Sequence, residues 1–122
     1  MKTYEVNVYD NGSVEWLLNG KKHREDGPAV TYIDGAKYWY INGECHREDG
    51  PATITSEGNK TWYKNGKIHR EDGPAYEGAD GSKAWYIGGE ELTEEEFNNH
   101  KVKELTMDEL EKLLGHKVKI IK

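Results

Sequence analysis

The sequence predicts a mainly β protein: a single antiparallel meander of four 23-residue hairpin repeats, followed by a C-terminal α/β cap. Three observations predict it. The phrase His23-Arg24-Glu25-Asp26-Gly27-Pro28-Ala29 recurs as His46 to Ala52 and as His69 to Ala75, and a fixed period of this length marks a repeat architecture. The same offset aligns two sets of turn residues, with β-branched and aromatic residues between them. These are Gly12, Gly35, Gly58 and Gly81, and the pairs Asn19-Gly20, Asn42-Gly43, Asn65-Gly66 and Gly88-Gly89. After Gly89 the period stops and helix-start chemistry replaces it.

Taken in order, Thr3 to Tyr9 alternate and carry β-formers, so they read as a first strand. Asp10-Asn11-Gly12 supplies a tight turn, because Asn and Gly tolerate positive φ. Ser13 to Leu18 return as a second strand and Asn19-Gly20 is a second turn. The plan then repeats with strands at Ala29 to Ile33, Lys37 to Ile41, Pro51 to Thr55, Lys60 to Lys64, Pro74 to Glu77 and Lys83 to Ile87. Pro28, Pro51 and Pro74 stand at strand starts, where a sheet tolerates proline. Alternation places Trp16, Trp39, Trp62 and Trp85 on one face, with Leu18, Ile41 and Ile87 beside them; the other face carries Tyr38, Tyr40, Tyr63 and Tyr86. The tryptophan row is expected to pack and the tyrosine row to stay accessible.

Residues 1–91 thus form the β-repeat array and residues 92–122 the cap. In the cap, Thr93 to Glu96 is a capping box and Leu92 with Phe97 a hydrophobic staple. Thr106 to Glu109 is a second capping box. Met107, Leu110, Leu113 and Leu114 share one helical stripe, Gly115 is a natural stop, and Val118 and Ile120 alternate as a short final strand.

Composition narrows the function classes. The 122 residues carry a net charge of −6, with 34% hydrophobic and 33% charged residues. The acidic balance argues against a phosphate backbone as partner, which needs clustered Lys and Arg. The first residues lack the apolar stretch of a signal peptide and no run reaches membrane-span length. The expected setting is therefore a reducing cytoplasm. Cys45 is the single cysteine, and its equivalents are Lys22 and Ile68, so it reads as a filler residue.

The Trp-x-x-Asn-Gly-x-x-His-Arg-Glu-Asp-Gly-Pro-Ala unit, over roughly residues 12–90, resembles the MORN (membrane occupation and recognition nexus) repeat family. That family also runs 23 residues per unit, as β-hairpins with an aromatic residue and an Asn-Gly-type turn. Here Glu-Asp-Gly-Pro replaces the usual Gly-x-Gly. The variant unit looks like the one in small proteins of tailed phages, giant viruses and some bacteria. The resemblance implies a β-hairpin repeat fold and a role as a scaffold for protein binding or dimerisation. It also implies a phage setting, in which the chain would inhibit or sequester a host defence factor in the host cytoplasm. The phospholipid role of some MORN proteins fits poorly with an acidic chain that lacks a basic patch.

The repeated His-Arg-Glu-Asp invites a catalytic or metal reading. Equivalent residues one repeat apart lie two strands apart, about 9–10 Å at the usual strand spacing. Metal ligands need to lie within roughly 2 Å of one centre, and proton transfer needs hydrogen-bond reach. The expectation is therefore no catalytic residue, no metal and no cofactor. Arg24, Arg47 and Arg70 would lock the loops with their carboxylates, while Gly27, Gly50 and Gly73 would supply positive φ. A protein partner would meet Tyr38, Tyr40, Tyr63 and Tyr86, with the three arginines as further contacts. A second expectation is that these aromatics and arginines clamp a nucleotide or other small anion. A third is a structural or homodimerising scaffold.

Overall fold

The structure is a computed structural model that describes residues 2–103 and Lys112. It is mainly β, an antiparallel sheet with one helix after it. The strands are β1 (Tyr4–Val8), β2 (Val14–Leu18), β3 (Lys21–Lys22), β4 (Val30–Thr31), β5 (Lys37–Tyr38), β6 (Tyr40–Ile41), β7 (Glu44–Cys45), β8 (Thr53–Ile54), β9 (Lys60–Thr61), β10 (Tyr63–Lys64), β11 (Lys67–Ile68), β12 (Tyr76–Glu77), β13 (Lys83–Ile87) and β14 (Glu90–Leu92). The helix α1 spans Glu94–Lys103. The main sheet runs β1-β2-β4-β5-β8-β9-β12-β13-β14, with β3 attached to β2; β6 with β7 and β10 with β11 form two small ladders beside it.

Two turn chemistries alternate along this path. Tyr9 N–H donates to the Ser13 carbonyl and Gly12 N–H to the Tyr9 carbonyl, with Gly12 at φ 93°. This is the three-residue hairpin that ends in a left-handed residue. Gly35, Gly58 and Gly81 repeat it at φ 95°, 95° and 91°. Asn11, Asp34 and Asp80 accept from the backbone two residues on, which pre-forms those bends. The other turns place both central residues at positive φ, as in Asn42 at 51° with Gly43 at 82°. That is the two-residue geometry that Asn-Gly favours.

Strands expected to be continuous through Trp39 and Trp62 are divided there. β5 stops before Trp39 and β6 starts after it; β9 and β10 flank Trp62 in the same way. The backbone gives the reason. Trp39 donates to the Ala52 carbonyl at 2.7 Å and accepts from His46 N–H at 3.1 Å; Trp62 does the same with Ala75 and His69. Each tryptophan is where the chain leaves one pairing partner for another.

The interior is small. Ala29, Ala52 and Ala75 are fully buried, with Val30, Ala36 and Phe97 close behind. All four tryptophans are only half-buried. The expected packed tryptophan row is thus replaced by a line of alanines. Backbone approaches backbone there, and Ala52 N–H bonds the Thr61 carbonyl at 2.8 Å. The tyrosine row departs too: Tyr38, Tyr40, Tyr63 and Tyr86 are half-buried rather than open.

At the far end, the capping box forms as expected. Thr93 N–H donates to Glu96 Oε1 at 2.8 Å, and Glu96 N–H to Thr93 Oγ1 at 3.1 Å. Three acidic residues fill the first turn of α1, where the helix dipole favours them. Phe97 is buried, and α1 packs on β13 and β14. The second capping box, the leucine stripe, the Gly115 stop and the final strand lie outside the described residues. No described helix is long and apolar enough to cross a membrane.

Candidate functional site

Among the described residues, the His-Arg-Glu-Asp loops hold the densest set of polar contacts, repeated from loop to loop. The histidine reaches forward to the next turn. His23, His46 and His69 accept through Nδ1 from the backbone N–H of Asn42, Asn65 and Gly88, at 2.9, 3.0 and 2.9 Å. A neutral ring that accepts at Nδ1 carries its proton on Nε2, and Nε2 faces the glutamate two residues on. His46 Nε2 lies 2.7 Å from Glu48 Oε1; the distances to Glu25 and Glu71 are 3.5 and 3.7 Å. Glu48 is held below the usual carboxylate range, first by this bond and then by Lys64. In the first loop the Glu25 carboxylate is instead bonded by Lys2 at 2.5 Å. Among the described residues, Nε2 of the buried His23 has no hydrogen-bond partner.

The arginine folds back over its own tryptophan. The guanidinium carbons of Arg24, Arg47 and Arg70 sit 4.1, 4.0 and 4.0 Å from the ring centroids of Trp16, Trp39 and Trp62. Such stacking suits the weakly hydrated guanidinium plane. Each Nε donates to the aspartate two residues on, at 2.8–3.1 Å. Each Nη1 donates to the proline carbonyl four residues on, at 3.0–3.3 Å. The arginine backbone N–H groups bond forward to the carbonyls of Tyr40, Tyr63 and Tyr86.

The loop glycines correct an expectation. Gly27, Gly50 and Gly73 are absent from the positive-φ residues. What they supply is room: a Cβ would stand 3.1, 3.0 and 3.1 Å from the guanidinium carbon of Arg24, Arg47 and Arg70. Glycine here accommodates the close approach of a side chain, which a Cβ would press aside by a few tenths of an ångström, and does not serve a left-handed backbone.

The arginines expected to contact a partner are therefore committed within the chain, which also weakens the anion-clamp reading. The tyrosines are not brought into one open row. Tyr38 packs edge-on to Tyr32, with centroids 5.6 Å apart. Tyr40 has Lys22 Nζ 5.2 Å from its ring centroid. Burial, then the nearby Cys45, pushes the Tyr40 phenol up to about 12. Burial likewise raises the Tyr63 phenol and the Cys45 thiol, which leaves that thiol little thiolate character for reaction.

What the loops do present outward is carboxylate. The side chains of Asp26, Asp49 and Asp72 are 84%, 87% and 82% exposed. Between successive loops lie two grooves of about 570 Å³ each. Glu25, Asp26, Trp39 and Glu48 are among the residues of the first, and Asp49, Trp62, Lys64 and Glu71 among those of the second. Sequence reading missed these aspartates as a surface feature. The signal was the phase within the motif: arginine bonds to the aspartate with one nitrogen while the rest of the side chain lies inward. Among the described residues, no group of three or more His, Cys, Asp or Glu is placed to hold a metal ion.

Comparison with protein-family models, with curated proteins and with solved structures gives no match.

Proposed function

We propose that the chain is a non-catalytic protein-binding module, built as an array of four MORN-like hairpin units with a C-terminal cap. The observation that carries this reading is the repetition of one surface. Loops at a 23-residue interval each turn an aspartate outward beside a groove floored by an arginine-covered tryptophan. The histidine Nδ1 lone pair, which a general base would need, is held by a backbone amide. The partner that fits is a protein segment carrying cationic side chains. A polyproline-II chain has three residues per turn and advances about 3.1 Å per residue, so a cation at every third residue returns to one face about 9 Å on and matches a two-strand loop spacing of about 9–10 Å.

The test is titration of the full chain with extended peptides bearing Lys or Arg at every third residue, beside scrambled controls with the same charge. The expected result is spacing-dependent binding that weakens with salt and falls in Asp49→Asn and Asp72→Asn. Equal binding of spaced and scrambled peptides would reject the reading. A phage-encoded inhibitor of a host factor is one form such a module would take.

A further inference from the structure

The two ends of the main sheet are finished differently. β14 is short, carries the exposed Glu90 and Glu91, and has α1 packed against it. Charge and a covering helix are the usual protections of a strand edge. β1, at the other end, spans five residues with Glu5 as its single charge, and no described strand pairs its outer side. Among the described residues, the exposed large hydrophobic ones also gather at this end: Val6, Val8, Tyr9, Tyr32 and Ile33, with Val8 and Ile33 at 71% and 70% exposure. Ile33 Cδ1 lies 3.3 Å from the Cβ position of Gly12, so the apolar patch is continuous with the first turn.

The backbone of β1 points the right groups outward. Val6 is opposite Trp16. Trp16 spends its N–H on the Ala29 carbonyl and its carbonyl on His23 N–H, both away from β1. Val6 and Trp16 are thus a non-hydrogen-bonded pair, so the N–H and C=O of Val6 face the open edge. Alternation gives the same for Tyr4 and Val8. Tyr9, whose N–H and C=O both turn inward to Ser13 and Gly12, confirms the phase.

We propose that β1 pairs antiparallel with β1 of a second copy of this chain, about a two-fold axis at Val6. This register places Val6 against Val6, Tyr4 against Val8 and Glu5 against Asn7. The hydrogen-bonding groups of Tyr4, Val6 and Val8 are then all answered by their counterparts. No like charges face each other, and the pairing is isologous, so it closes at two copies. Pairing of β1 with β14 of another copy would extend without closing, and there the acidic Glu90 and Glu91 repel Glu5. This surface is separate from the loop grooves.

Analytical ultracentrifugation of the full chain tests it, with circular dichroism as the control for folding. The parent is expected to dimerise. Val6→Lys sets lysine against lysine at the axis and should weaken the dimer about tenfold or more. Asn7→Lys sets a cation against each Glu5 and should tighten the dimer by about threefold to tenfold, in a salt-sensitive way. In the neighbouring register centred on Asn7 the same change opposes two lysines and would loosen it. A parent that stays monomeric at about 100 µM overturns the proposal. So does a dimer indifferent to both variants, an Asn7→Lys dimer weaker than the parent, or open-ended assembly.

Discussion

At the scale of single residues, the loop glycine separates two physical reasons for the same choice. Gly50→Ala is expected to cost about 1 kcal/mol, by displacing the Arg47 guanidinium from its seat on Trp39 rather than by straining the backbone. A double-mutant cycle isolates that cause. In an Arg47→Ala background the same glycine change should cost almost nothing in a thermal melt; an undiminished cost would point back to the backbone. Tyr40 offers a test by pH. Its phenol is raised to about 12 when folded, against about 10 in an unfolded chain. Between these values the folded state holds the proton that the unfolded state has lost. Stability should therefore fall as pH rises from about 10 to about 12 and be unaffected by this group below that window. Tyr40→Phe should flatten this part of the pH–stability curve, and an unchanged slope would assign it to other groups. The glycine also shows what the sequence could tell. A recurring Gly was legible as a demand, but its kind was not, because space and dihedral freedom leave the same letter. The arginine always three residues earlier was the available clue.

At the scale of elements, the turns were legible because Asn-Gly and the spaced glycines encode dihedrals directly, and Asn19-Gly20, Asn42-Gly43 and Asn65-Gly66 take positive φ at both residues. The helix start was legible for the same reason, since a capping box is a local bond pattern. Thr93→Ala should lower stability by about 1 kcal/mol, whereas Thr93→Ser should retain most of it; equal melts for all three chains would mean the bond is made to no effect. The divided strands were not legible. Alternation assumes one ladder per strand, but at Trp39 and Trp62 the N–H and the carbonyl answer to different segments, a long-range fact. The alanine core follows from that division. Ala52 bonds at both its N–H and its carbonyl and is fully buried, so Ala52→Leu should overpack the line and cost roughly 1–3 kcal/mol or more.

At the scale of the whole molecule, the forward bonds of the loops decide how stability is distributed. Each histidine holds the turn 19 residues ahead, and each arginine N–H holds the strand carbonyl beyond it, so contacts that join successive 23-residue segments are mostly between neighbours. A chain coupled in this way loosens locally when one link is cut. The candidate site was legible in the same uneven way: the loops stood out as a repeated phrase, but their outward face depended on which groups the arginine and histidine had already engaged.

His46→Leu and His46→Asn test that distribution. Leucine removes the acceptor for Asn65 N–H; asparagine keeps an oxygen close to where Nδ1 stood. Losing a bond of this kind costs about 0.5–1.5 kcal/mol, so His46→Leu should melt lower than the parent and His46→Asn should fall between them. Amide hydrogen exchange then reads where the loss is felt. Asn65, and Gly66 which bonds the Cys45 carbonyl beside it, should exchange faster in His46→Leu. The amides that join β1 to β2 should keep the parent rates, because no bond of His46 reaches them. A uniform acceleration across the sheet would mean that the molecule opens as one cooperative unit, and that the forward bonds do not divide it into neighbouring segments.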